Sequence, residues 1–498
     1  MSLKHCTAPR LWRTARTASL IILLTLFGGC VSVPPSETRA VLRERAPLAG
    51  LGLPAQGDWP QTHWWRIFGD EQLDELMARA MQHAPDLAVA TARVNEARRA
   101  VHLVMAQAGL SVTGQAQVAR QRLSEHGLIP SQFLGFNWYN QADLGAQLQY
   151  DFDWWGKQRA AIESALDQAH AAEAGHSAAA LALQYAVADT YFAWQADNAR
   201  ERLAIHAIQA QRRLAQIARL RVAQGVDLPD TALLAGAQVA AAIQAQAALE
   251  GSAQIRRAVL AALLGIAPGE LPELHARRLP RVKAELPANA SLDLLARRPD
   301  IASELWLVQA ALRQTDVARA QFYPDVSITA MAGLSSIDLD QLLDPASRVF
   351  ALTPVLHLPI FSGGRLRASY RVAQAHVDQS IAQYNAAVAA AARDVTTQAL
   401  SARQIAAQIR QQHSQVKSDA QLLAAAQARQ LQGIRDGRET LAAQARLLQQ
   451  QDALLQLEAQ AVATDLSLIK ALGGGYRFQG PASPTSAPGT PATSSQPE

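Results

Sequence analysis

Residues 142–156 read ADLGAQLQYDFDWWG, and the alternation within this stretch decides the fold. From Ala142 to Trp154 every even position is apolar, whereas the odd positions carry Asp, Gln or Gly. A period of two residues predicts a β-strand with one apolar and one polar face. At about a dozen residues, this strand is long enough for a tilted crossing of a lipid bilayer. A half-buried strand of a soluble β-sandwich has the same alternation, so the neighbouring segments must decide between the two.

Long segments without helix-breaking residues follow the predicted strands. Residues 365–432 contain neither Gly nor Pro, and the corresponding residues 157–224 contain no Pro and a single Gly, Gly175. At a rise of about 1.5 Å per residue, each segment predicts one helix of about 100 Å. Helices of this length do not fit inside an ordinary globular domain, which argues against a soluble sandwich. A periplasmic coiled-coil scaffold lipoprotein would contain the same helices, and that alternative stays open.

The chain contains two copies of one unit. The motif Pro85-Asp86-Leu87 recurs as Pro299-Asp300-Ile301, and Gly225 has its counterpart in Gly433. We therefore predict repeat 1 over residues 85–265, repeat 2 over residues 299–473, and an equatorial linker over 266–298. After its first helix, repeat 1 is predicted to contain strands at about 110–120 and 142–154, a long helix 157–224 and a return helix 231–264. Repeat 2 is predicted to contain strands at about 326–334 and 350–360, a long helix 365–432 and a return helix 439–471.

Four strands in one chain cannot close a barrel, because the outer strands keep unpaired edges that lipid cannot satisfy. No segment after residue 29 predicts a transmembrane helix, so a membrane-spanning part must be a closed β-barrel built by several chains. The predicted fold class is an α+β membrane protein with long antiparallel α-helical hairpins and a transmembrane β-barrel.

The N-terminus has the pattern of a secretory signal. Residues 1–29 carry four basic residues and a short apolar run, and Gly28-Gly29 precede Cys30. We predict that the signal is removed and that Cys30 becomes the acylated N-terminus. Residues 30–84 are then an acylated N-terminal segment with an equatorial region, and the residues from 474 to 498, rich in Pro, Ser and Thr, are predicted to be disordered.

Charge and motifs exclude several function classes. Without the four basic residues of the signal, the 46 basic residues fall to 42, which equals the 42 acidic ones. The neutral mature chain gives no support to nucleic-acid binding. No phosphate loop, nucleophile elbow or paired-histidine metal motif occurs, so we expect no enzyme activity, no metal and no cofactor.

Five motifs, in this order and spacing, resemble the outer membrane factor (TolC-like) family, and in particular its lipid-anchored, NodT-type branch that serves resistance-nodulation-division pumps. They are Trp64-Trp65 with Phe68-Gly69-Asp70, Ala84 to Leu87, Tyr150 to Gly156, Arg297 to Ile301, and Pro359-Ile360-Phe361 with Gly363-Gly364. The signal also resembles that of bacterial lipoproteins. In those proteins a residue such as Ser32, rather than Asp, at the second position after the cysteine implies delivery to the outer membrane.

The resemblance implies a homotrimer in which four strands from each of three chains make a twelve-stranded barrel and the helices make a periplasmic tunnel. It implies a channel anchored in outer-membrane lipid that extends into the periplasm and works with a periplasmic adaptor (a membrane fusion protein) and an inner-membrane pump. Small toxic compounds or drugs would be its cargo. The same fold also serves type I protein secretion, which is the nearest alternative function.

The resemblance also points to functional residues at the hairpin tips. Gly225 and Gly433 match the family's periplasmic tip turns, where glycine permits a sharp reversal. Glu439 matches the acidic ring at the tunnel mouth, and Asp230 matches it after a shift of one residue. The competing interpretation is that both are acidic residues favoured by the dipole of a helix N-terminus.

Overall fold

The computed structural model describes residues 32–48, 57–124, 135–282, 285–287 and 290–478. Contacts divide the chain into two units, each described by itself below. The first unit comprises Met1–Val41, Asn95–His170 and Leu305–Gln383, and the second comprises Leu42–Val94, Ala171–Glu304 and Tyr384–Glu498.

The helices follow the two-repeat plan. In the first half they are α1 (Glu71–His83), α2 (Pro85–Gln107), α3 (Lys157–Ala223) and α4 (Pro229–Leu264). In the second half they are α5 (Ala290–Arg297), α6 (Pro299–Ala320), α7 (Arg365–Leu431) and α8 (Gly437–Ala471). The long helices α3 and α7 have 67 residues each. Both return helices begin two residues before the predicted starts; Pro229 opens α4, where its fixed φ suits the first helical turn.

The strands of the first unit form one antiparallel sheet in the order β1-β2-β3-β4. They are β1 (Ser111–Arg122), β2 (Trp138–Phe152), β3 (Asp325–Ser336) and β4 (Arg348–His357). The predicted bounds of β2 and β4 differ from these. The strand β2 starts at Trp138 rather than 142 because Trp138 pairs with Arg122 of β1. The strand β4 ends at His357 rather than 360, two residues before Pro359, which has no N–H to donate.

The register gives the sheet two chemically distinct faces. One row joins Val112 to Leu148, Leu148 to Ala330, and Ala330 to Leu352, so apolar residues of all four strands share a face. The adjacent row joins Ser111 to Gln149, Thr329 and Thr353 and belongs to the other face. Leu352 is 68% exposed, which is the arrangement expected of a face that meets lipid.

The second unit has the main hydrophobic core. Leu73, Leu76, Tyr191 and Leu260 are fully buried, so α1, α3 and α4 pack on one another. A polar network lies at the edge of this core. Asp70 caps α1 by accepting a hydrogen bond from the Gln72 N–H, and it also accepts one from the Tyr191 hydroxyl at 2.7 Å. Burial raises the pKa of Tyr191, and the Asp70 carboxylate adds to that rise. Tyr191 therefore remains a hydrogen-bond donor to Asp70.

Two expectations from the sequence need correction. No membrane-spanning helix was expected after residue 29, but α4 is long and apolar enough to be one by length and composition alone. An 18-residue window of this helix has a mean hydropathy of 1.4 and contains no buried residue. An Ala-rich helix that packs against other helices has the same composition, so this criterion by itself is weak.

The tail predicted from residue 474 is ordered over its first five residues. Gly475 lies against the backbone of Gln61, and the Phe478 N–H donates to the Ala296 carbonyl at 2.7 Å. These contacts to distant parts of the second unit explain the difference. Residues 479–498, and with them the rest of the disorder prediction, lie outside the described residues.

Candidate functional site

The first hairpin tip joins α3 to α4 through a short turn at Gly225. Gly225 has φ +69°, a left-handed conformation that residues with a Cβ rarely adopt. Its N–H donates to the Val222 carbonyl at 3.0 Å, and the Val226 N–H donates to the Arg221 carbonyl at 2.8 Å. These bonds close the end of α3 and let the chain reverse before Pro229.

The second tip, between α7 and α8, repeats this geometry. Gly433 has φ +70°, and the Ile434 N–H donates to the Arg429 carbonyl at 3.0 Å. Asp436 caps α8 by accepting from the Arg438 N–H at 3.1 Å. Because Asp436 is the cap, the capping role does not fall to Glu439, which lies in the first turn of the helix.

A bidentate ion pair stabilises the turn of the first tip. The Arg221 guanidinium donates to both carboxylate oxygens of Asp227, from Nε at 2.7 Å and from Nη2 at 2.9 Å. Hydrogen bonding to Arg221 lowers the pKa of Asp227, and Arg438 of the other tip adds to this shift. Hydrogen bonding to Arg438 lowers the pKa of Asp436, and the charge of Arg221 adds to this shift. The two tips of one chain are therefore electrostatic neighbours.

Glu439 makes the corresponding contact in the second tip. Its carboxylate accepts from Arg429 at 2.6 Å and lies 3.7 Å from the Nε of Arg435. Arg429 is in the last turn of α7 and Glu439 in the first turn of α8, so the ion pair spans the turn. Arg429 occupies the position in repeat 2 that Arg221 has in repeat 1, with the same offset of 208 residues as the two tip glycines.

Asp230 has different surroundings. It is exposed in the first turn of α4, and within the described part of the chain its carboxylate has no hydrogen bond or ion pair. No such bond joins it to Glu439 there either. The structure therefore does not bring the two predicted aperture residues together within one chain.

The charge around Glu439 differs from that of a simple acidic ring. Residues 429–439 contain three arginines against two acidic residues, whereas residues 221–230 contain one arginine against two. The two tips carry opposite net charges of one unit each. Arg429, Arg435 and Arg438 were not predicted from the sequence to be part of the site. The repeat offset that relates Arg221 to Arg429 would have identified the arginine donor of the ion pair in each tip.

The polar face of the sheet offers a second candidate surface. Asp143 of β2 accepts from the Ser335 hydroxyl of β3 at 2.6 Å, and Gln117 of β1 is its register partner on the other side. Among the described residues, no group of His, Cys, Asp or Glu could hold a metal ion. The arrangement is that of a hydrophilic wall. Cys30, the predicted lipid site, lies outside the described residues.

Residues 76–266 and 291–474 match the family described as "Outer membrane efflux protein". The chain is 32% identical over 468 residues to "Multidrug resistance outer membrane protein MdtP" of Escherichia coli K12, covering 92% of this chain and 96% of that protein.

Two solved structures have the same fold. VceC of Vibrio cholerae, an outer membrane protein, is 30% identical with a TM-score of 0.74, over 84% of this chain and 100% of that one. The outer-membrane channel OprN is 25% identical with a TM-score of 0.79, over 90% of this chain and 99% of that one.

Proposed function

The chain belongs to the outer membrane efflux protein family, and on that premise we propose that it is the outer-membrane conduit of a tripartite pump that exports drugs or other small toxic compounds. The predictions of a TolC-like channel in the outer membrane, with helices that extend into the periplasm, are confirmed by the family match and by the similar channels. Family membership also decides against a coiled-coil scaffold and against an enzyme.

The observation that carries this proposal is the sheet. It has one apolar face, one polar face and two unpaired edges in a single chain. Three copies close these edges into the twelve-stranded barrel of the fold, with the polar faces inward. A wall of Gln, Ser, Thr and Asp hydrates a passage without binding one compound tightly. Such a conduit suits varied cargo, as the relative's name "multidrug resistance" suggests.

The partners and the lipid anchor belong to the same proposal. A periplasmic adaptor and an inner-membrane pump of the resistance-nodulation-division class would deliver the cargo, because a passive channel has no energy source of its own. Acylation of Cys30 is supported by Val33, which packs with the buried Phe322 and Tyr370. Phe322 lies three residues before β3, so Val33, three residues after Cys30 in the sequence, lies near the foot of the barrel.

The hairpin tips would form the periplasmic aperture. In this proposal Glu439 holds α7 and α8 together through Arg429, and three such ion pairs in a trimer favour one tip conformation. Asp230, with an unpaired carboxylate, would contribute negative charge to the mouth. The aperture is thus closed by local ion pairs and lined by a smaller acidic charge than the sequence alone suggested.

A susceptibility panel tests the function. Deleting the gene in a strain that keeps the cognate pump and adaptor should lower the inhibitory concentrations of several unrelated drugs, and the wild-type gene should restore them. Unchanged susceptibility together with loss of a secreted protein would instead support type I secretion and overturn the proposal.

A further inference from the structure

Three arginines lie at one end of the sheet, on its apolar face. Arg120 and Arg122 are the last outward-facing residues of β1, and Arg348 is the first residue of β4. Their register partners are Asn140, Trp138 and Leu334 respectively, which share the face of the apolar rows. All three arginine side chains are exposed.

The apolar residues below Arg120 and Arg122 match the thickness of a membrane. Along β2 the apolar face is uninterrupted from Ala142 to Phe152. About ten steps of about 3.3 Å, tilted by about 40°, span about 25 Å, which is the height of the lipid-facing band of an outer-membrane barrel. Arg120 and Arg122 come after this band, at the level where charge on the lipid-facing surface becomes tolerable. Arg348 lies in the row of Leu334 and Leu144, one outward-facing position inside the edge of the band, from which a long arginine side chain can reach the headgroups.

An aromatic side chain marks the same level. The Arg120 guanidinium lies 5.5 Å from the ring centroid of Trp138, which is 52% exposed. Trp is enriched where hydrocarbon meets headgroups. The ring holds the guanidinium over its face and leaves the N–H groups free to point toward a ligand. This end of the sheet therefore has the composition of a membrane interface with an excess of positive charge.

Chain connectivity identifies the leaflet. The helices α3 and α7 follow the opposite ends of β2 and β4, and in this family they extend into the periplasm. The arginine end is then at the cell surface, where the outer leaflet of a Gram-negative outer membrane carries the phosphates of lipid A. Guanidinium groups bind phosphate through paired, charge-assisted hydrogen bonds.

From this placement we propose that Arg120 and Arg348 bind the phosphate groups of lipid A at the rim of the barrel. This role is independent of the efflux function. The strands β1 and β4 are the two edges of the sheet, so in a closed barrel β4 of one protomer adjoins β1 of the next. Arginines from two protomers then flank each of the three seams. A bound lipid A would bridge the protomers and stabilise the trimer.

The competing partners are the three aspartates of the loop between β3 and β4, Asp338, Asp340 and Asp344. Among the residues that the structure describes, neither Arg120 nor Arg348 forms an ion pair with them or with any other acid. Both guanidiniums are therefore available to an external phosphate.

Native mass spectrometry of the full-length trimer tests the proposal, with purified diphosphoryl lipid A as the probe. The double variant Arg120→Gln/Arg348→Gln should weaken binding about tenfold for each arginine removed. Arg403→Gln/Arg410→Gln is the matched control, because it removes two exposed arginines of α7 and should bind like the wild type. Arg120→Lys/Arg348→Lys keeps the charge without the paired donors and should bind with intermediate affinity.

Wild-type protein alone provides a further test that does not depend on the variants folding. Diphosphoryl lipid A should bind more tightly than its dephosphorylated form and more tightly than phosphatidylglycerol. Equal binding of the dephosphorylated form would overturn the proposal, as would unchanged binding by the glutamine variant. Equal binding of phosphatidylglycerol would show a general anionic surface and would equally overturn the assignment to lipid A.

Discussion

Glu439→Gln is expected to destabilise the closed conformation of the hairpin tips. The substitution keeps the shape of the side chain and removes the charge that pairs with Arg429 at 2.6 Å and Arg435 at 3.7 Å. Neither partner is strongly buried, since the side chains of Arg429 and Glu439 are 43% and 39% exposed. The ion pair between them therefore has the modest strength of a surface pair.

The expected size follows from that exposure and from the trimer. One such pair stabilises its conformation by about 0.5–1 kcal/mol. Three equivalent pairs in a trimer give about 1.5–3 kcal/mol, which corresponds to a shift of about tenfold to a hundredfold in the ratio of open to closed channels. Because the pairs are exposed, high salt should reduce the difference between the variant and the wild type.

Single-channel recording in planar bilayers measures this ratio. Arg429→Gln should open the channel to a similar extent, and the double variant Arg429→Gln/Glu439→Gln should open it little further, because both changes remove one interaction. Glu458→Gln, the same change in the middle of α8, is the control and should leave the open fraction unaltered. Additive effects of the two single changes would refute the ion pair. A lower cation preference at an unchanged open fraction would support an acidic ring instead.

Three further outcomes are expected. Gly333→Ala should destabilise the folded trimer by about 1–3 kcal/mol and lower its yield, because a Cβ there meets the Leu144 carbonyl oxygen at 2.5 Å. Burial raises the pKa of Asp465 from 3.8 to about 6, so the folded state keeps a proton that the unfolded state loses; thermal stability should fall between about pH 4 and pH 6, and Asp465→Asn should flatten that dependence. The mature protein should carry acyl mass on Cys30, and intact-mass measurement of Cys30→Ser should show a chain without lipid.

The sequence predicted those parts of the fold that depend on local pattern. A segment without Gly or Pro identified α3 and α7 almost to the residue, because helix continuity is decided by neighbours along the chain. Period-two alternation located the four strands for the same reason. Where a strand ends depends on its partner, and β2 extends to Trp138 because β1 continues to Arg122. That pairing is not visible in the β2 segment alone.

The candidate site was predictable only in part. The tip glycines can be recognised in the sequence, because a reversal between two long helices needs a positive φ. The surroundings of Glu439 depend on Arg429, which is ten residues away and on the other side of the turn. The order of residues 474–478 likewise depends on contacts with Gln61 and Ala296, far away in sequence. Local composition carries no information about such contacts.

Three copies of this chain are expected to close one transmembrane barrel. A detergent-corrected mass of the purified, full-length protein, from light scattering coupled to size exclusion, measures the number of copies directly. Three copies per particle are expected, because four strands with two open edges cannot satisfy their backbone hydrogen bonds in lipid. A stable particle of one copy, active in the same bilayer recordings, would contradict it.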